Sequence, residues 1–261
     1  MTVPTPPEPF LHKEAKPLYT YAFLPQPDRE LLQFIQQTEG LQESVQVVSP
    51  VGSRIAAAVE PMQDPKSLQV SDEVLVHSAL RHDQVICRLF SQIPVLPLRF
   101  GTCFLSVEKL VSHLLARQAE YEQTLAAIKG RAEYCLKSRV QPSPSQADPQ
   151  APLSGTAYLL ARKQAYLQQQ QAQARQEQEL AELQQLWPPT WPVQVADPRP
   201  EEALRLYFLL TPAEKQQADL ISQTWLTRHP NWQLEWSTPL PPYHFVGVLR
   251  DTEEARGIGS P

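Results

Sequence analysis

Glycine is scarce in this 261-residue chain: 8 glycines stand against 27 prolines, the reverse of the usual ratio of roughly 7 % to 5 %. Phosphate-cradling glycine loops are therefore rare from the outset. None of GxSxG, GxxxxGKS, GxGxxG or HExxH occurs, no acidic metal triad is present, and the terminal GIGSP follows no strand. Cysteine is also sparse. Cys87, Cys103 and Cys135 are an odd number without CxxC spacing, so buried free thiols are expected rather than a disulfide framework or a zinc ribbon. Basic charge is not in excess: 23 Lys and Arg face 28 Asp and Glu, a net charge of −5, which leaves no footprint for nucleic acid or for an anionic lipid membrane. No apolar run reaches the roughly 18 residues of a membrane-spanning helix. The start, MTVPTPPEPFLHKEAK, lacks the apolar centre of a signal peptide. A cytoplasmic protein without a nucleic-acid or membrane partner is the expectation.

What is present is a chain long enough for two domains. Prolines cluster before Leu18, around Pro142 to Pro152, from Pro188 to Pro200 and from Pro239 to Pro242, and periodic segments lie between. LYTYAFL, Leu18 to Leu24, reads as a buried strand, and Asp28 is placed to cap a helix reaching about Thr38. Gln42 to Ser49 and Arg54 to Glu60 suggest a hairpin around Ser-Pro-Val-Gly, although RIAAAVEP is weak by propensity. A helix with an acidic first turn is expected from Ser71 to about Phe90. PVLPLRF then predicts an edge or bulged strand, being too rich in proline to pair on both sides. One amphipathic helix is expected from Val107 to about Ile128, ended by Gly130.

GRAEYCLKSRV returns to strand character, and a long helix is expected over 154–186. Leu160, Leu167, Ala174 and Ala181 recur every seven residues there, but the alternate heptad positions are mostly Gln. That leaves open an exposed helix, one packed on its own domain, or one that binds a partner. After a Pro-Trp linker come the strand ALRLYFLLT, a helix capped by Thr211 with Glu214 three residues on, the alternating strand NWQLEWST, and YHFVGVL as a closing strand. All five tryptophans, Trp187, Trp191, Trp225, Trp232 and Trp236, fall in the second half, which implies a separate aromatic core. The expected class is α+β: an arm over 1–17, an N-terminal mixed α/β domain over 18–129, a C-terminal modified ferredoxin-like domain over 130–250, and a tail over 251–261.

The stretch His82 to Thr102, HDQVICRLFSQIPVLPLRFGT, holds the groups most open to a chemical reading. His77 falls with Arg81, Gln84 and Arg88 on one helix face, whereas His82 shares the opposite face with Leu75, Ala79, Ile86 and Leu89. A histidine on an apolar stripe is ordinarily a hydrogen-bonded core residue. Arg99 alternates with Leu98 and Phe100, so a buried cluster of Arg99, Glu133 and His82 is conceivable, and its natural role is to fix strand register and domain contact. The paired carboxylates Asp72-Glu73, Glu201-Glu202 and Glu253-Glu254 sit at expected helix starts or in the tail. None of this demands catalysis, and the expectation is a protein without enzymatic activity, metal or cofactor.

The order LYTYAFLP, HDQVICRLF with VLPLRFGTCF, GRAEYCLK, SGTAYLLARKQ and PPYHFV, running from Leu18 to Val248, resembles the gas vesicle protein F/L family. The family motif residues carry over as His82, Pro97, Arg99, Phe100, Gly101 and Thr102, then Gly130, Glu133 and Lys137, then Pro242, Tyr243 and Phe245. The resemblance implies structural or interface roles for these residues and a two-domain α+β protein whose second domain is ferredoxin-like. It implies a gas vesicle location within the cytoplasm, with the hydrophobic major shell protein and other vesicle accessory proteins as partners. Such a protein is a minor shell-associated component or adaptor. The alternatives are a transient cytosolic assembly chaperone, a ferredoxin-like regulatory or ligand-binding module outside the vesicle, and, least expected, an enzyme using His82 and Arg99. The Gln-rich stretch from Gln168 to Gln185 and the proline-rich arm follow the family motifs less closely.

Overall fold

A computed structural model describes residues 16–62, 64–141 and 155–246. All but the last two residues of the expected N-terminal arm, the loop from Pro142 to Pro152, Ser154 and the tail over 251–261 lie outside the described residues. The described residues divide into two compact units, one formed by those from 16 to 130 with 241–246, the other by those within Arg131–Leu240.

The first unit contains β1 (Leu18–Pro25), α1 (Arg29–Gln36), β2 (Gln46–Val48), β3 (Ile55–Pro61), α2 (Asp72–Phe90), β4 (Leu96–Pro97), β5 (Cys103–Phe104), α3 (Val107–Ala116) and α4 (Gln118–Ile128). β1 is buried along its length up to Pro25 because it is paired on both edges, with β3 on one side and β4 and β5 on the other. All of these pairings are antiparallel. Tyr21 is an extra residue in the β1–β3 register. This bulge turns Tyr19, Tyr21, Ala22 and Leu24 toward one core shared with Ile35, Ile86 and Leu89. Phe23 faces the other layer, where it meets Phe104, His113 and Tyr121. β3 is fully buried up to Pro61 despite its three alanines, so packing has overridden propensity.

The helix starts follow local chemistry: the side chains of Asp28, Ser71 and Ser106 accept from the backbone N–H groups of Leu31, Val74 and Lys109. The single helix expected from Val107 to Ile128 is instead two, broken at Arg117 (φ −117°, ψ 15°). No proline or glycine marks the break. It lets Leu110 and Leu114 of α3 and Tyr121, Leu125 and Ile128 of α4 all be buried, and a 2.6 Å hydrogen bond between His113 Nε2 and Tyr121 Oη ties the two helices across it. PVLPLRF contributes only Leu96 and Pro97 to the sheet. β4 and β5 are one edge run along β1 interrupted by a turn, which is the bulged edge that its prolines foretold.

The second unit contains β6 (Ala132–Val140), α5 (Thr156–Gln185), β7 (Val193–Ala196), β8 (Leu204–Leu210), α6 (Pro212–Arg228) and β9 (Trp232–Trp236). Its sheet runs β7-β8-β6-β9, every pair antiparallel. The result is a βαββαβ unit of ferredoxin-like type. The sequence leaves β7 inside the Pro-Trp linker; three of its four residues are exposed at the sheet edge, so burial wrote no pattern into it. YHFVGVL is not a closing strand where it is described: Tyr243 to Phe245 form a turn, and residues from Gly247 lie outside the described set. With β7 restored the strand order is complete without that segment. The first unit has the same order of second, third, first and fourth strands, β2-β3-β1-β4.

Candidate functional site

β1 and α2 meet over the corner that the sequence singles out. His82 lies on the buried face of α2 with Val85, Ile86 and Leu89. Its Nε2 is 3.1 Å from the Leu98 carbonyl and its Nδ1 is 2.8 Å from Tyr19 Oη. A carbonyl only accepts, so Nε2 carries the hydrogen and Nδ1 accepts the tyrosine O–H. The Gly101 N–H donates in turn to Tyr19 Oη at 3.2 Å. Arg-Phe-Gly-Thr is the turn that makes this possible: the Thr102 N–H and hydroxyl both donate to the Arg99 carbonyl, at 3.1 and 2.7 Å. Gly101 takes φ +85° at the third position of the turn, where glycine avoids a Cβ clash. Phe100 sets its ring against Tyr19 and His82, with centroids 6.3 and 5.7 Å away. Pro97 pairs with Ala22, and β4 has no strand on its far edge among the described residues, a place where a missing N–H costs nothing.

Arg99 corrects the sequence reading. It lies outside any strand and is exposed at the start of the turn, so it joins no buried cluster with His82 and Glu133. Burial lowers the His82 pKa to about 4, leaving a neutral ring with both nitrogens engaged. Burial likewise pushes Tyr19 and Tyr21 well above the usual phenol range, and raises Cys103 to about 11. Burial, with Asp83 adding to it, also raises Cys87 to about 11. The tyrosines and cysteines therefore keep their protons near neutral pH, His82 stays uncharged, and all of them serve geometry. Among the described residues no group of three or more His, Cys, Asp or Glu could hold a metal ion.

Beside this corner, Glu60 closes the loop after α1 and is itself fully buried. Its carboxylate accepts the N–H of Leu41 at 2.7 Å, of Gln42 at 2.6 Å and of Glu43 at 2.7 Å, together with the Tyr21 hydroxyl. The loop approaches so closely that a Cβ on Gly40 would stand 2.1 Å from Glu60 Oε2. Outside lies a polar cleft of about 570 Å³, lined by Glu39, Gln42, His77, Arg81 and Gln84 among others. Arg81 spans it, donating to Glu39 Oε2 at 2.7 Å and to the Gly40 carbonyl at 3.1 Å.

A neighbouring exposed face of α2 is different. Val76 and Leu80, one turn apart, are 58 % and 59 % exposed, and the stripe ends where Tyr243 Oη donates to Asp83. Pro242 is buried and Phe245 half-buried in the same turn, whose Phe245 N–H donates to the Pro242 carbonyl at 3.2 Å. The remaining motif residues are spread: Gly130 (φ +73°) follows the end of α4, while Glu133 and Lys137 lie on β6. Glu133 is buried and exchanges two 2.9 Å backbone hydrogen bonds with Leu240. Lys137 stands across from Glu235 on β9, 3.4 Å away. Tyr19, Tyr21, Gly40 and Glu60 were missed as site residues. The alternation of tyrosines in LYTY signals that Tyr19 and Tyr21 share a face, but nothing local points from Glu60 to a loop 17 or more residues away.

The family model described as gas vesicle synthesis protein GvpL/GvpF matches residues 17–247. No protein of curated function matches the sequence with significance. Among solved structures, the fold is similar to the crystal structure of gas vesicle protein GvpF from Anabaena sp. PCC7120, 21 % identical, which matches over 90 % of this chain and 97 % of that one with a TM-score of 0.61. It is also similar to GvpF from Microcystis aeruginosa, 16 % identical over 89 % of this chain and 99 % of that one, with a TM-score of 0.59.

Proposed function

Because the chain belongs to the gas vesicle synthesis protein GvpL/GvpF family, we propose that it is a non-catalytic adaptor of vesicle assembly, which binds the hydrophobic major shell protein and remains with the vesicle as a minor component. The observation that supports the binding surface is the apolar stripe of α2, where Val76 and Leu80 face solvent from a helix whose other side is pinned by His82 and its partners. A rigid helix offering apolar side chains at i and i+4 suits a partner that must be shielded from water before it joins a polymer. The non-catalytic part of this reading is supported by the His82 ring, whose two nitrogens are already engaged.

The test joins flotation to mutation. Vesicles are floated, washed stringently and probed for this chain, and the same is done with a Val76→Glu/Leu80→Glu variant. Retention of the native chain and loss of the variant, with unchanged thermal unfolding, is the expected result. Each buried aliphatic side chain contributes about 1.5 to 3 kcal/mol, so binding of purified shell protein should weaken by tenfold or more. A variant that binds and floats like the native chain overturns the α2 surface. A native chain absent from vesicles before and after washing, yet required for their formation, makes it a transient assembly factor instead.

A further inference from the structure

α5 extends far beyond the part of it that packs. Its 30 residues span about 45 Å. From Tyr158 onward its first buried residue is Glu179, and from Tyr158 to Arg175 every side chain except that of Ala161 is exposed. A Gln-rich helix without tertiary support is marginal in water, yet this one also leaves Leu160, Tyr166 and Leu167 in solvent, at 58 %, 60 % and 45 % exposure. Leu160, Leu167, Ala174 and Ala181 form one stripe with a period of seven, and all four are exposed. The stripe is unequal: bulky side chains occupy its N-terminal half and small ones its C-terminal half. Charge is divided in the same way. Along the sequence Arg162 and Lys163 have no acidic residue within a helical turn. Toward the other end Arg175 is paired with Glu179 at 2.9 Å and Glu182 with Arg228 at 2.8 Å, which leaves the exposed Glu177 as the carboxylate available to a partner. Glu179 is turned inward to accept from Trp232 Nε1 at 2.7 Å.

We propose that α5 is a self-association element, in which two copies of this chain pair their α5 helices antiparallel about a point between Gln170 and Gln171. In that alignment Leu160 of one copy faces Ala181 of the other and Leu167 faces Ala174, so large side chains meet small ones along the whole contact. Lys163 stands level with Gln178, one residue's rise of about 1.5 Å from Glu177. A parallel pair would set leucine on leucine, alanine on alanine and Lys163 on Lys163, leaving the seam wide at one end and the charges repelling. The C-terminal half of the stripe is open to receive a partner because the unit's own core takes the other side of α5, through Glu179 and Leu183. The occupant that matches both the size gradient and the charge gradient of α5 is α5 itself.

Light scattering and sedimentation of the full chain at micromolar concentrations test this independently of shell binding. The expected mass is twice 29.6 kDa. Leu160→Gln/Leu167→Gln, at positions that touch no core, should be monomeric at the same concentrations and still unfold in one cooperative Trp-detected transition, whose midpoint no longer depends on protein concentration. Lys163→Glu and Glu177→Lys should each weaken pairing about five- to tenfold, since each change acts twice in a two-fold pair. Mixing the two single variants should restore it, because each then presents the other's missing charge. A native chain that stays monomeric, or a double-Gln variant that dimerises as tightly as the native one, overturns self-association by α5. Failure of the mixed variants to re-associate overturns the antiparallel alignment.

Discussion

His82 links the first unit to pH. Its folded pKa, about 4, lies below the ordinary 6.5 because burial disfavours the charged ring. Between these values the unfolded chain binds the proton and the folded one does not, so stability rises with pH there. The contribution is complete above about pH 6.5 and is lost as pH falls toward 4, by about 3 kcal/mol in all. His82→Gln keeps an acceptor for Tyr19 and a donor for Leu98 but does not titrate. Its urea midpoint should fall less than that of the native chain between pH 6.5 and 4, and equal slopes would clear His82 of the effect. Gly40 is the second residue on which much depends. Gly40→Ala places a methyl group 2.1 Å from Glu60 Oε2 and 2.6 Å from the Glu43 carbonyl, and both are fixed by the loop's own hydrogen bonds. A loss of about 2 to 3 kcal/mol is expected in thermal unfolding.

Elements were legible where their determinants are near in sequence. α6 has a full capping box, with Thr211 and Glu214 each accepting the other's backbone N–H. Thr211→Ala should cost about 1 kcal/mol by denaturant titration. Gly101→Ala, forced to φ +85°, should cost about 1 to 2 kcal/mol and release Tyr19 from its backbone donor. The elements that escaped did so for physical reasons. β7 is an exposed edge with no buried face to impose alternation. The break between α3 and α4 answers to what lies beneath it, the Phe23 and Tyr121 layer, and carries no local helix breaker. Arg99 alternates correctly with its neighbours for a strand, but the following Gly101 turns the chain before a ladder can continue.

Over the whole molecule, two units with one strand order draw acid sensitivity from different groups. Burial pushes the Glu179 carboxyl up, but hydrogen bonds from Trp232, Arg175 and Asn231 outweigh it and hold the group below its usual range. Glu202 is lowered in the same sense, burial being outweighed by the Arg199 N–H and the Arg205 guanidinium. Their stabilising contribution is present above the unfolded value of about 4.5 and lost as pH falls through the lower folded values. Every tryptophan lies in Arg131–Leu240, so Trp emission reads the second unit. Glu179→Gln, which preserves an acceptor for Trp232, should flatten the Trp-detected fall of the urea midpoint below about pH 4.5.

The sequence by itself determined the α+β class, most helix and strand positions, the caps at Asp28 and Thr211, the burial of His82 and membership of the gas vesicle family. These follow from periodicity, capping chemistry and motif order, each set by residues close along the chain. Only the tertiary structure decided that His82, Tyr19 and Gly101 form one hydrogen-bonded corner, that Glu60 secures the loop at Gly40, that Arg99 stands in solvent, and that β7 completes the second sheet. Those contacts join residues as much as 82 positions apart. Their partners are chosen by pairing register and by the need to satisfy buried polar groups, and neither is written in any local pattern.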